Sequence, residues 1–163
     1  MSVDLTNKVV AAIYRSYEER RLPWIRQHIG ASDIGQPCER RIWLGFRHAQ
    51  TVEQIPGKKL RLFDTGHREE DRVIDDLRRG GYEVYNRDPD DPTKQISYTP
   101  APHVVVNLDG IGRGFAEAPN KWHVIEIKTM AAKYMNALDH EKAEKRGVQK
   151  NQPKYYDQCQ MVM

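Results

Sequence analysis

Two acidic residues and a lysine stand in this chain where a hydrolytic site could be built. Asp109 closes the apolar run 103–108. After a glycine-rich turn comes Trp122-His123-Val124-Ile125-Glu126-Ile127-Lys128, giving the spacing D-x16-E-x-K. Alternation along a strand puts Trp122, Val124, Glu126 and Lys128 on one face and His123, Ile125 and Ile127 on the other. Glu126 and Lys128 then point into one space, with Asp109 on the neighbouring strand. Such carboxylates hold one or two hard divalent cations through oxygen, and the cation lowers the pKa of a bound water and neutralises charge on a pentacovalent phosphate. The ammonium orients the attacking water or stabilises the same charge. The set suits hydrolysis of a phosphodiester. An isolated E-x-K is more often a salt bridge on an edge strand, so its weight rests on its companions.

One companion is upstream. Over 59–79, Leu60, Phe63, His67, Glu70, Ile74 and Leu77 recur at spacings of three and four, which predicts a helix with Glu70 inside its apolar stripe. Burying an unpaired carboxylate is expensive, so a metal, an arginine from the first helices or a protonated state must compensate. Glu69 falls one residue off the stripe and is expected in solvent. His67, on the stripe, reads as a hydrogen-bonded core residue.

The elements that must position these groups follow from local signals. Residues 4–19 form an amphipathic helix with Leu5, Val9 and Ile13 inward. Ser32 is placed as the N-cap of a short helix leading into 38–47, interrupted by Pro37. Gly57 precedes the helix of Glu70 and Gly80-Gly81 ends it. Residues 82–86 alternate as a strand, and the three aspartates of 88–92 read as a solvated turn. A strand through Val104, Val105 and Val106 leads to Asp109. Gly110-Ile111-Gly112-Arg113-Gly114 resembles a phosphate-cradling loop, but such a fingerprint should open a helix, and here a second strand follows after Pro119-Asn120. A hairpin is expected instead. A helix around 134–144, a basic loop and a last helix with Pro153 in its first turn complete the chain. In that last helix Tyr155, Gln158 and Val162 share a face. Helix, mixed sheet, helix predicts an α/β sandwich, a central mixed sheet flanked by helices. One domain, 1–163, is expected, with 1–28 as an N-terminal helical extension.

Composition agrees. The 163 residues suit one domain, with a modest apolar fraction of 39% and a charged fraction of 30%. No stretch reaches the roughly 18 apolar residues of a membrane helix, and the first residues hold no apolar signal core. Two distant cysteines require no disulfide, which points to a cytoplasmic location. The net charge of +3 conceals two basic stretches. One has Arg15, Arg20, Arg21, Arg26, Arg40, Arg41 and Arg47 interleaved with Trp24, Trp43 and Phe46; the other has Lys142, Lys145, Arg146, Lys150 and Lys154. Arginines and lysines can hold phosphates, although solvated helix faces carry the same residues.

In order and spacing, Gly66-x3-Glu70, Asp109-Gly110, Glu126-Ile127-Lys128-Thr129 and Tyr155-x2-Gln158-x-Gln160 resemble the PD-(D/E)XK nuclease superfamily, whose fold is restriction-endonuclease-like. The likeness is greatest to its phage-type branch, which includes the lambda exonuclease and RecB-like nucleases. Ile29-Gly30-Ala31-Ser32-Asp33-Ile34 and Cys38-Glu39-Arg40-Arg41-Ile42-Trp43-Leu44 resemble the first motifs of that branch. The resemblance implies Asp109 and Glu126 as ligands of Mg²⁺, or of Mn²⁺, with the backbone carbonyl of Ile127. It implies Lys128 as the catalytic lysine and Glu70 as the helix glutamate that completes the metal site. Gln158, with Tyr155 beside it, would place the substrate strand or the lysine. Ser32 and one of Arg26, Arg40 or Arg41 would lie near the terminal phosphate of DNA.

The implied activity is that of an exonuclease on double-stranded DNA with a free end, in a phage or prophage setting. A recombination partner protein and a homo-oligomer, for example a ring around DNA, belong to the same expectation. Two departures bear on it. RecB-like nucleases often carry an iron–sulfur cluster starting at a cysteine placed like Cys38, but such clusters take four thiolates and the chain has Cys38 and Cys159, so no cluster is expected. Relatives also continue past the Gln-x-Gln helix, whereas this sequence stops at Met161-Val162-Met163, so either it is a truncated piece of a longer protein or it is a shortened family member whose sheet lacks late strands. Two rival readings follow: an endonuclease of the same fold, such as a resolvase or restriction-like enzyme, and a truncated, non-catalytic DNA-binding protein.

Overall fold

The computed structural model describes residues 3–21, 27–49, 54–138 and 147–163. Trp24, Arg26, Lys142, Lys145 and Arg146 lie outside these residues, as does the second half of the helix expected over 134–144. Helix α1 (Val3–Arg20) crosses the first half of α3 (Gly57–Arg79). The expectation of Val9 and Ile13 inward is wrong: they are 59% and 37% exposed. Val10, Tyr14 and Tyr17 form a second stripe with the same helical period, and this one is half-buried. It wins because it carries partners: the Tyr17 hydroxyl donates to Asp64 Oδ2 at 3.2 Å, and the next residue, Glu18, accepts the Gly57 N–H at 2.6 Å. The side chain of Leu5 is outside the described set. Gly57 is the point of closest approach, where a Cβ would stand 2.0 Å from the Tyr14 carbonyl oxygen.

The stripe of α3 holds at Leu60, which is half-buried, and over the second half of the helix, but fails at its middle. Ile74 is buried and Glu70 and Leu77 are half-buried, whereas Phe63 and His67 are exposed. His67 is therefore not the core residue expected, because the strands cover α3 only towards its C-terminus. Glu69, expected in solvent, is half-buried like Glu70, its side chain 38% exposed and paired with Arg72 at 2.7 Å. The helix ends as the glycines predict: Gly81 N–H bonds the Arg78 carbonyl, Tyr82 N–H bonds that of Leu77, and Gly81 takes φ +87°.

The strands form two three-stranded sheets where one mixed sheet was expected. In the first, β1 (Ile29–Gly30) runs parallel to β4 (Val104–Asn107), whose other neighbour is the antiparallel β3 (Ser97–Ala101). The second is antiparallel, in the order β2 (Glu83–Tyr85), β5 (Gly110–Arg113), β6 (His123–Ile125). Leu108 and Asp109 join β4 to β5, so the chain passes from one sheet to the other at an expected site residue. With six helices among the described residues, the molecule is mixed α/β. The glycine-rich stretch read as a turn is itself strand β5 of the expected hairpin. A Cβ at Gly110 would meet Ile74 Cδ1 at 3.0 Å, and one at Gly112 would meet Ile125 Cδ1 at 3.1 Å. Missing side chains let α3 lie directly on this sheet.

The first sheet packs through Val106, with Ala31, Leu108 and Val162, into a core bordered by Ile96, Ile111, Val124 and Met161. Val162 and Met161 belong to or adjoin α6 (Pro153–Val162), tied down by the Tyr98 hydroxyl donating to the Met161 carbonyl at 2.6 Å. Ser32 does not cap a helix as expected. It lies inside a 3₁₀ turn, Ala31–Asp33, where the Asp33 carboxylate accepts the Gly30 N–H at 2.9 Å. Helix α2 (Glu39–Phe46) starts after Pro37, and α4 (Ala132–Leu138) and α5 (Gly147–Asn151) precede α6. The aspartate loop closes on itself, Asp88 and Asp91 accepting N–H groups of their own turn. Among the described residues no helix is long and apolar enough to cross a membrane.

Candidate active site

Strand β6 stops at Ile125, so Glu126, Ile127 and Lys128 follow the strand instead of continuing it. The cause lies on the partner strand. Gly110 pairs with Ile125, and the residue before it, Asp109, offers its side chain in place of a further backbone rung. The Ile127 N–H donates to Asp109 Oδ2 at 2.7 Å. This bond uses the Ile127 N–H and leaves its carbonyl, the expected ligand, as a separate group.

Glu126 and Lys128 do meet, as alternation predicted. The Lys128 ammonium pairs with Glu126 Oε1, and the Gln158 amide of α6 donates to the same oxygen at 2.6 Å. Gln158 is itself buried, at 7% exposure, and shares its helix face with half-buried Tyr155 and buried Val162. The Glu126 side chain is 10% exposed, and its Oε2 is buried without a hydrogen-bond partner. A buried acceptor left without a donor demands an explanation.

Charge reinforces the geometry. Burial pushes the Glu126 carboxyl above its ordinary value, the Lys128 hydrogen bond opposes this, and the negative charges of Asp109 and Glu70 add to the rise. Burial alone would lower Lys128. Its bond to Glu126 and the charges of Glu126, Asp109 and Glu70 outweigh that and hold it up. Glu70 therefore acts on the same space from α3. Its direct partner is His67, with Nδ1 3.3 Å from Oε2, and not the arginine considered from sequence. Gly66, one turn earlier, faces Thr129, whose Oγ1 would lie 3.6 Å from a Cβ there. Four expected residues, Asp109, Glu126, Lys128 and Gln158, converge with Glu70 nearby. Among the described residues no three His, Cys, Asp or Glu side chains are grouped tightly enough to hold one cation. The donor type still suits a hard cation, since the groups acting here are carboxylates and Glu126 Oε2 is left unpartnered.

The expected DNA-binding residues divide. Ser32 and Arg41 line one cleft of about 580 Å³, together with His28, Gln36, Lys59 and Phe63. Arg40 is exposed and does not line it, because the adjacent position on a helix points about 100° away. Sequence reasoning missed His28 and Lys59 in this cleft; Lys59 was visible only as the first residue of a helix. It also missed Cys159, half-buried beside the site, whose thiol is pushed up by burial and then by the charge of Glu126. No protein-family profile, curated protein or solved structure matches this chain.

Proposed function

We propose that the chain is a metal-dependent deoxyribonuclease, an α/β sandwich of restriction-endonuclease type acting as an exonuclease on duplex DNA ends. The observation that carries the reading is the state of Glu126. One oxygen is held by Lys128 and Gln158, the other is buried without a donor, and two more carboxylates act on the same space. A salt bridge at a sheet edge needs none of this apparatus. Asp109 and Glu126, with Glu70, would hold Mg²⁺ or Mn²⁺, which when bound supplies a water of lowered pKa and neutralises phosphate charge.

The protein's own groups do the rest. The Ile127 N–H fixes one Asp109 oxygen, and Gln158 fixes Glu126 from a separate helix, so the carboxylates are preorganised. Lys128, kept protonated by its surroundings, stabilises negative charge as the phosphorus–oxygen bond breaks. Ser32, Arg41 and Lys59 offer a hydroxyl and two cationic side chains to a phosphate of the bound strand in the cleft they line. Exonuclease action rests on the family resemblance.

The test compares degradation of linear and covalently closed duplex DNA with Mg²⁺, using EDTA and Lys128→Ala as controls. Loss of linear DNA alone, abolished by both controls, supports the proposal. Cutting of closed DNA favours the endonuclease, and binding without cleavage favours the non-catalytic DNA-binding protein.

A further inference from the structure

Helix α2 has two dissimilar faces. Arg41, Ile42, Gly45 and Phe46 turn into the cleft of Ser32. On the other side Arg40, Trp43 and Arg47 follow one another at i, i+3 and i+7, all exposed. Trp43 is 59% exposed, and the Arg47 guanidinium carbon lies 6.0 Å from its ring centroid. A tryptophan in this position adds little to the core, since most of its surface stays in water.

Resting on the nuclease reading, we propose that the outer face of α2 is a second nucleic-acid contact, in which Arg40 and Arg47 hold phosphates and Trp43 stacks on an unpaired base. Guanidinium groups bind phosphate oxygens in pairs, and an exposed indole between two of them matches the alternation of charge and flat ring along a single strand. Glu39, in the first turn, is the acidic residue on this helix and borders the stripe next to Trp43, leaving Arg40 and Arg47 at its other edge. An anionic lipid surface suits the stripe less well. Membrane helices bury a broad apolar face, and here Ile42 and Phe46 line the cleft while Leu44 is half-buried. Arg40, displaced from the Ser32 cleft, thereby finds a role on the opposite side of its helix.

The test is fluorescence anisotropy of a labelled duplex with a single-stranded overhang, titrated in EDTA at several salt concentrations. Arg40→Ala/Arg47→Ala should lower the slope of log affinity against log salt by about 1.4–1.8, at about 0.7–0.9 per phosphate contact. Trp43→Ala should weaken binding by roughly fivefold or more, with less effect on a blunt duplex. All three side chains are exposed, and unchanged thermal melting confirms that the variants fold. Wild-type affinity and slope in the variants would overturn the proposal, as would failure of the wild-type protein to bind. Loss of binding to phosphatidylserine vesicles with DNA binding unchanged would overturn it in favour of a membrane surface. Cleavage with Mg²⁺ and its loss in Lys128→Ala are read separately. An idle α2 face therefore leaves the nuclease reading standing, and a protein that never cleaves can still show this contact.

Discussion

Gln158→Leu tests whether α6 supports Glu126. Gln158 is 7% exposed and its Nε2 lies 2.6 Å from Glu126 Oε1, on a side chain 10% exposed. Leucine keeps most of the volume, so the cavity contribution is small. What is lost is a hydrogen bond to a charged group, about 1.5–3 kcal/mol. Lys128, 30% exposed, keeps its hold on the same oxygen, which places the expected loss in the lower half of that range, about 2 kcal/mol. For a domain of this size the melting temperature should fall by roughly 4–8 °C. The pH dependence carries the sharper test. Burial raises the folded-state pKa of Glu126, against the pull of Lys128 and with the help of Asp109 and Glu70. A carboxyl raised on folding costs nothing below its unfolded pKa and its full penalty above its folded pKa. Removing a donor from the ionised form raises the folded pKa further. The deficit of Gln158→Leu should therefore be largest at neutral pH and shrink towards about pH 4, as the folded-state carboxyl, raised above its ordinary value, takes up its proton. Urea denaturation in EDTA across this range measures it. A deficit below about 0.5 kcal/mol at neutral pH, or one of equal size at both ends, would refute the reasoning. In a Glu126→Gln background the same substitution should cost less than half as much.

Gly57→Ala must push α1 away from α3, because its Cβ would lie 2.0 Å from the Tyr14 oxygen; a loss of at least about 3 kcal/mol is expected by chemical denaturation. Gly66→Ala, with Thr129 Oγ1 at 3.6 Å, should instead be neutral or gain up to about 1 kcal/mol from helix propensity. Gly81→Ala, at φ +87°, should cost about 1 kcal/mol in a thermal melt. With a thiol-reactive dye, Cys38 should label fast and Cys159 slowly, since Cys38 is exposed while burial and Glu126 hold the Cys159 thiol up. Cys38→Ser should remove the fast phase, and equal rates at the two thiols would contradict the placement of α6 against Glu126.

The types and sidedness of the site residues were legible because short-range rules govern them. Glu126 and Lys128 meet across one residue as the E-x-K spacing suggests, although past the end of β6, and helical spacing turns Gln158 and Val162 to one face. The Gly80-Gly81 stop follows from backbone sterics alone. The misreadings arise where a distant contact decides. Strand β1 has two residues, and β3 is exposed along its whole length and contains Pro100, so neither shows an apolar rhythm. Two stripes of α1 are equally periodic, and contacts with Asp64 and Gly57 on α3 select between them. Glycines at 110 and 112 satisfy the local chemistry of a turn, yet they are required in a strand by the approach of Ile74 and Ile125.

The same distinction explains why β6 ends where it does. Alternation predicts an unbroken strand through Lys128, but Asp109 bonds the Ile127 N–H with its side chain and takes the place of a rung. A regular ladder would commit this amide to a backbone partner. By ending it, Asp109 fixes its own carboxylate beside Glu126, and the residues that could do chemistry stand just past the last paired strand position. The break in regular structure, which strand rules cannot anticipate, is what builds the site.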